Sequence, residues 1–396
     1  MNDGIPATAD LVVIGAGVVG LACAFRAIEA GLSVVVLEQG AVGTGASGVA
    51  AGMLSPALEV EDSEPALIAF ARDSMARYPG FVAAVEAAAG LACGYRSEGS
   101  LWLALDRDDH LLLERLYAIQ REAGLSTRLL PAPETRQREP NITPRTVAGL
   151  FAPDDHQVDP RRLVPALAAA IRRRGGNVVE RAADARVLID SGRAGGVAWA
   201  DRRIAAGAVL LAAGSYSNAL LPAGCAALPL RPVKGQTVRL RGPRVIDHVV
   251  RTPRVYLVPR EDGEIVIGAT MEELGFDARA TVWAVHDLLA EARRAVPSID
   301  ELAIAELPVG FRPALRDGLP AIGAYGPAGL FVATGHYRHG ILLAVATADL
   351  MLTLLTGARD ERLAAFDPHR FAAKSGAGHG DRAERHGHDG RRSAAG

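Results

Sequence analysis

Three glycines and one glutamate have the types and spacing for chemistry. Gly15, Gly17 and Gly20 stand as GxGxxG, and Glu38 closes the next apolar run. Residues 11–14 are a short apolar run leading into the glycines, an apolar helical pattern follows to Gly31, and residues 33–37 are apolar again. In such a strand–turn–helix–strand unit, Gly15 permits the tight turn and Gly17 lets a pyrophosphate approach the backbone. Gly20 lets helix and strand pack closely. Val18 and Val19 open the helix, whose free N–H groups and positive dipole end suit phosphate. Glu38 suits ribose hydroxyls, and its charge argues against a 2′-phosphate. Glycines also serve ordinary turns; the strand, helix and acidic residue in their fingerprint places favour a dinucleotide. The motif alone leaves FAD and NAD open.

Three further segments favour FAD. Residues 45–53, including Ala46, Ser47, Ala51, Gly52 and Met53, are nearly all small. Such a stretch lets an extended cofactor pass close to the backbone, although alone it reads equally as a flexible loop. Residues 209–214 are a buried-strand pattern ending in small residues at Gly214, the form in which a third sheet strand passes a bound FAD. The run Gly335-His336-Tyr337-Arg338-His339-Gly340, between strand and helix, aims a second helix N-terminus at a ligand. That dipole end would stabilise negative charge on a reduced flavin. With no second GxGxxG to hold NAD(P)H, electrons are expected from an organic substrate.

The elements that must position these residues follow from periodicity. Residues 65–89 and 109–123 read as amphipathic helices, and Asp159-Pro160 with Gly175 brackets another with N-cap, N1 proline and C-terminal glycine. Residues 236–240, 254–258 and 264–268 read as antiparallel strands, the last two joined by Glu261-Asp262-Gly263. A helix over 281–296, a strand over 329–333 and a helix after Gly340 complete the pattern. The fold class is α/β: a Rossmann-type FAD-binding domain with a second α+β substrate domain on an antiparallel sheet. The expected division is 1–60, 150–229 and 312–372 for the FAD-binding domain, 61–149 and 230–311 for the substrate domain, and a disordered tail over 373–396.

Composition narrows the function. The chain has 396 residues and a net charge of −2, which gives no electrostatic reason to expect nucleic acid or an anionic membrane as partner. Cys23, Cys93 and Cys225 form neither CxxC pairs nor a disulfide framework, as suits a reducing cytoplasm. Residues 1–10 hold no Lys or Arg and make a poor signal peptide. The apolar stretches 11–25 and 341–355 are too short to span a bilayer, and Asp349 interrupts the second. No membrane span, metal site or catalytic acid–base pair is expected. Homo-oligomerisation stays open.

With these residues in view, the chain resembles the D-amino-acid oxidase superfamily of FAD-dependent oxidoreductases, and within it the glycine oxidases of thiamine biosynthesis. The resemblance runs from about Asp10 to Phe371. It is carried by residues 47–56 (SGVAAGMLSP), 232–236 (PVKGQ), 256–260 (YLVPR), 267–272 (IGATME), and most specifically 310–318 (GFRPALRDG) and 335–343 (GHYRHGILL). It implies FAD contacts at Val18, Val19, Glu38, Gln39, Ala46, Ser47, Ala51, Gly52 and Met53, a main-chain contact to the adenine near Asp184, and a flavin lined by the run from His336 through Ile341 and Leu342. It implies that Arg312 binds a substrate carboxylate, helped by Tyr256 and Arg338. A guanidinium fork matches a carboxylate, and a phenol adds a third hydrogen bond. Read singly, Arg312 is as well explained by an ion pair with Asp317, Tyr256 by a half-buried strand aromatic, and Arg338 by a cofactor contact. One departure is Leu315, where the family commonly has Thr or Ser. No cysteine lies near Arg312 and no histidine within 44–53, where relatives tether their flavin, so FAD is expected to be non-covalent. The implied reaction is oxidative deamination of glycine and related small amino acids, with dioxygen as acceptor. The alternatives are a D-amino-acid or N-methylamino-acid dehydrogenase with a quinone or protein acceptor, and a non-catalytic flavin-binding subunit.

Overall fold

The computed structural model describes residues 4–56 and 64–372; the tail expected to be disordered lies outside them. The chain opens with strand β1 (Thr8–Ile14), helix α1 (Val18–Glu29) and strand β2 (Val34–Leu37). Helices α2 (Pro65–Ala89) and α3 (Pro160–Arg173) and strand β3 (Arg202–Leu211) follow. A β-rich stretch supplies β4 (Leu230–Arg241), β5 (Tyr256–Pro259), β6 (Glu264–Gly268), helix α4 (Val282–Ala295) and β7 (Val309–Leu315). The chain returns through β8 (Leu330–Thr334) to helix α5 (Gly340–Leu355).

Two large sheets organise these elements. The first has eight strands, with β8, β3, β1 and β2 adjacent in that order and running parallel. Its register aligns Ile14 with both Leu37 and Leu211, and Leu211 with Val332. The strand ends that lead to Gly15, Glu38, Gly214 and Gly335 therefore lie side by side at one carboxyl edge, where ligands of parallel α/β sheets bind. Residues of α1 and α5 are buried throughout the core beneath this sheet, together with Phe70, Tyr78 and Phe81 of α2. The second sheet has nine strands. Its long strand β4 pairs antiparallel with both β6 and β7, and β5 and β6 form the expected hairpin.

Local signals hold with small shifts. Asp159 caps α3 by accepting the Arg161 N–H at 2.9 Å. The helix expected from Asp109 begins at Arg107, because Asp106 caps it through the Asp109 N–H. A larger correction concerns the last apolar stretch. Joined to the turn before it, residues 337–355 make a helical span of 19 residues with mean hydropathy 1.4, long and apolar enough to cross a membrane by those criteria. In this fold most of that span is buried against α1 and α2, as a core helix must be.

Packing also differs from the expected domain limits. Helix α2 contributes to the core under the first sheet, β7 stays in the second sheet through Leu315, and the strand Ala148–Ala152 belongs wholly to the second sheet. We propose a division of 4–56, 64–95, 153–229 and 316–372 for the cofactor domain, with 96–152 and 230–315 as the other.

Candidate cofactor and active site

The dinucleotide turn is built so that only glycine fits. Gly15 has φ +115°, and a Cβ there would lie 2.5 Å from the Ala212 carbonyl oxygen. A Cβ on Gly20 would lie 2.0 Å from the Gly15 carbonyl oxygen. Ser47 Oγ sits over the start of α1, accepting the Val18 N–H at 3.1 Å and lying 3.3 Å from where a Gly17 Cβ would be. Val19 is half-buried on the first turn of α1. Glu38 does more than its sequence position suggests: its Oε2 accepts the Ala16 N–H at 2.8 Å and its Oε1 the Gly40 N–H at 3.0 Å. Each oxygen keeps a further lone pair, so ribose recognition and this bracing are compatible. Gln39 is exposed beside it. Asp184, exposed and at φ +58°, follows a segment tied to Glu38 through the Ala182 N–H, which donates to the Glu38 carbonyl at 2.8 Å.

Residues 45–53 are held in place, which removes the flexible-loop reading. Ala46 and Ser47 belong to the single helical turn Ala46–Val49. Gly52 has φ +78°, and a Cβ there would lie 2.0 Å from the Val158 carbonyl oxygen; the Val158 N–H donates back to the Gly52 carbonyl at 2.9 Å. Met53 pairs with Gln157 in a two-stranded ladder. Three guanidinium groups grip the same segment: Arg161 Nε donates to the Gly48 carbonyl at 2.9 Å, Arg239 to the same oxygen at 3.3 Å, and Arg260 to the Ala51 carbonyl. Sequence reading assigned none of these arginines a role. The available signal was a buried cation inside an apolar strand pattern, as at Arg239.

Arg312 and Tyr256 are brought together. Arg312 lies close enough to Tyr256 for its charge to act on the phenol, and its guanidinium donates to the Thr270 carbonyl at 3.0 Å and to the Lys234 carbonyl at 3.5 Å. Two glycines hollow out their seat. A Cβ on Gly235 would lie 2.3 Å from an Arg312 nitrogen, and one on Gly268 the same distance from the Tyr256 hydroxyl. Gly310, two residues before Arg312 and so on the same face of β7, would place a Cβ 3.0 Å from Val49. That face therefore looks at the Ala46–Val49 turn. Tyr256 joins Ala51, Met53, Val258 and Val266 in one apolar cluster. Burial raises the Tyr256 pKa, with the positive charges of Arg312 and Arg251 pulling the other way. The phenol is a neutral donor at physiological pH.

The ion-pair alternative for Arg312 falls, because Asp317 is paired with Arg370 at 2.7 and 3.2 Å. Among the described residues no carboxylate pairs with Arg312. Leu315, three positions along the strand from Arg312, points to the opposite face and is buried against Gly335, where a Cβ would lie 2.2 Å from its Cδ1. The departure from the family pattern is thus a core substitution under the Gly335 turn.

The run from Gly335 divides by side-chain fate. Thr334 ties it to the end of β3 by donating to the Gly214 carbonyl at 3.0 Å. His336 is turned into the core, its Nε2 3.0 Å from Thr347 Oγ1. Any lining by His336 is through its backbone. Burial, helped by the charge of His339, holds the His336 pKa down to about 3. Tyr337 has φ +48° and donates its hydroxyl to Met271 Sδ at 3.1 Å. Arg338 is exposed, with its guanidinium 5.3 Å from the Tyr337 ring centre. The structure thus joins Arg312 to Tyr256 and sets Arg338 against Tyr337. His339 is buried, and Gly340 begins α5. Ile341 and Leu342 are buried, their carbonyls accepting from Tyr78 and Ser74 of α2.

A parallel sheet whose carboxyl edge gathers a glycine turn, an acidic strand end and a second helix start, facing an Arg–Tyr pair on another sheet, defines a nucleotide-dependent oxidoreductase. The FAD dependent oxidoreductase (DAO) family matches residues 10–354, and the chain belongs to it. The glycine turns that any Cβ would fill, and the small residues over α1, fit FAD at this edge. The glycine oxidase of Geobacillus kaustophilus is 32% identical over 372 residues, covering 92% of this chain and 96% of that protein. The crystal structure of glycine oxidase from that organism superposes with a TM-score of 0.84 at 31% identity, covering 94% of this chain and all of that one. The bifunctional protein ThiO/ThiG of Synechocystis sp. is 33% identical over 374 residues, covering 92% of this chain but 54% of its own length. The chain thus spans about half the length of the bifunctional relatives it matches.

Proposed function

We propose that this protein oxidises the C–N bond of small amino acids and favours glycine, which with dioxygen and water gives glyoxylate, ammonia and hydrogen peroxide. The observation that carries the reading is the Arg312–Tyr256 pair. It is a guanidinium with no carboxylate partner among the described residues, beside a neutral phenol, on the face of β7 that looks at the Ala46–Val49 turn. Arg312 forks the substrate carboxylate and Tyr256 donates a further hydrogen bond. Pinning the carboxylate presents one face of Cα only. Bound FAD supplies the two-electron oxidation. Neither a guanidinium nor a neutral phenol acts as a base near neutral pH, so the substrate ammonium gives its proton to water and the amino acid reacts as the neutral amine. The relatives named glycine oxidase support this substrate class, and the bifunctional ThiO/ThiG protein supports a place in thiamine biosynthesis. A cytoplasmic setting accompanies that role.

An amino-acid panel followed anaerobically for loss of yellow colour, and aerobically for peroxide, tests the reading. Glycine is expected to bleach the flavin and to yield peroxide in proportion to glyoxylate. Bleaching by amines that lack a carboxylate as readily as by glycine would overturn it. Bleaching by glycine without peroxide would replace dioxygen with a quinone or protein acceptor.

A further inference from the structure

Arg260 follows β5 directly, four residues after Tyr256, and is almost fully buried. Strand alternation puts Tyr256, Val258 and Arg260 on one side, and the first two pack with Ala51 and Met53. Arg260 extends that contact with hydrogen bonds. One guanidinium nitrogen donates to the Ala51 carbonyl; another reaches Gln157 Oε1 at 3.0 Å and the Val158 carbonyl at 3.3 Å. Gln157 pairs with Met53 in the two-stranded ladder, Val158 follows it and bonds Gly52, and Ala51 precedes Gly52, so all three acceptors lie at or beside the expected cofactor contacts Ala51, Gly52 and Met53. All three are neutral, and Arg260 Nε is buried with no hydrogen-bond partner among the described residues. Burying a cation whose hydrogen-bond acceptors are all neutral is costly, and Asp159 and Glu264 act on it by charge without bonding it, so packing alone accounts poorly for an arginine here. Burial lowers its pKa to about 10, with Asp159 opposing and Arg239 reinforcing the shift.

We propose that Arg260 is a positioning residue for the cofactor. It locks the 51–53 segment to the strand carrying Tyr256, and so fixes the bound flavin relative to the substrate-binding pair. The proposal rests on FAD binding and is independent of which amino acid is oxidised. Its test therefore reads the flavin, not turnover.

The holoenzyme is diluted well below its melting temperature, and FAD release is followed by the rise in flavin fluorescence; visible circular dichroism reports the environment of the bound ring. Arg260→Met is expected to speed release by about tenfold or more, the loss of charge-assisted hydrogen bonds, and to change the visible dichroism. Arg260→Lys is expected to fall between, because an ammonium cannot span three acceptors in a plane. Arg96→Met is the control. Arg96 is equally buried, but its side chain is held by Glu98 and by the carbonyls of Pro259 and Asp247, none of them in the 45–53 segment. It is expected to lower the melting temperature and leave FAD release near the wild-type rate. The proposal is overturned if Arg260→Met keeps the wild-type release rate and dichroism, or if Arg96→Met speeds release as much. Should Arg260→Met fail to fold, Arg260→Lys decides alone, and an unchanged release rate counts against the proposal.

Discussion

The Arg312 guanidinium occupies the space that a side chain at position 235 would need, with 2.3 Å between a Gly235 Cβ and its nearest nitrogen. Residue 235 is directly paired with Gly310 on β7, so the backbone there cannot easily move away. Gly235→Ala is therefore expected to push the guanidinium off the Thr270 carbonyl. Overpacking of this kind costs about 1–3 kcal/mol, and kcat/KM for glycine is expected to fall by about tenfold or more. FAD affinity stays unchanged. Steady-state kinetics beside a FAD titration separate the two, and equal losses in both would show that Gly235 serves the fold and not the substrate seat.

Arg312→Ala removes the fork itself. Truncating one partner of a buried charge pair costs about 2–5 kcal/mol, here in transition-state binding. The flavin spectrum and melting temperature are expected to move little, since the Arg312 side chain bonds to two carbonyls, those of Thr270 and Lys234. Arg312→Lys recovers part of the loss. Wild-type efficiency in Arg312→Ala would remove this residue from substrate binding.

The cofactor edge was legible because its code is in the backbone. Glycines at 15, 17 and 20 state where no Cβ is allowed, and contiguous apolar runs state which strands are buried. What escaped was contact between residues distant in sequence. Arg161, Arg239 and Arg260 meet at residues 48–51 from three separate elements, and an arginine in a strand reads locally as a solvated face. For α2, the amphipathic pattern gave the buried face but not the sheet it lies under. Likewise Leu315 reads in the sequence only as a departure from the family pattern; strand alternation is what places it under Gly335.

Glu38 is expected to carry two separable duties. Glu38→Ala removes the acceptor for the Ala16 and Gly40 N–H groups, and so is expected to lower the melting temperature of apoprotein as well as weaken FAD by about 1–3 kcal/mol. Glu38→Gln keeps one acceptor oxygen and restores part of the stability, while FAD affinity stays low. Apoprotein is expected to be accessible by acid precipitation, leaving a yellow supernatant and a colourless pellet. Cys23 and Cys93 are buried and Cys225 is partly so, and the sequence holds none of the expected tethers. Wild-type FAD affinity in Glu38→Ala would reduce Glu38 to the bracing role alone.

His336 gives the fold an acid-side sensitivity whose sign follows from its burial. Its pKa is held down to about 3 in the folded chain against an ordinary value of 6.5, because burial penalises the imidazolium. Unfolding lets the ring take up a proton, so the unfolded chain binds more protons wherever the pH lies between those values. The stability tied to the neutral ring is thus fully present above about pH 6.5 and is lost progressively as the pH falls toward 3, by up to about 1.4 kcal/mol per pH unit. Replacing the ring with a side chain that does not titrate removes this component. His336→Gln is expected to be less stable than wild type at pH 7.5, where the Thr347 contact and the packing are lost. The gap is expected to narrow or invert by pH 5. Urea midpoints of both proteins at pH 7.5, 6.5, 5.5 and 5 measure it, because other groups titrate alike in the two and cancel in the difference. A constant difference across that range would mean that the folded chain accommodates a protonated His336, with α5 shifting to let water reach the ring.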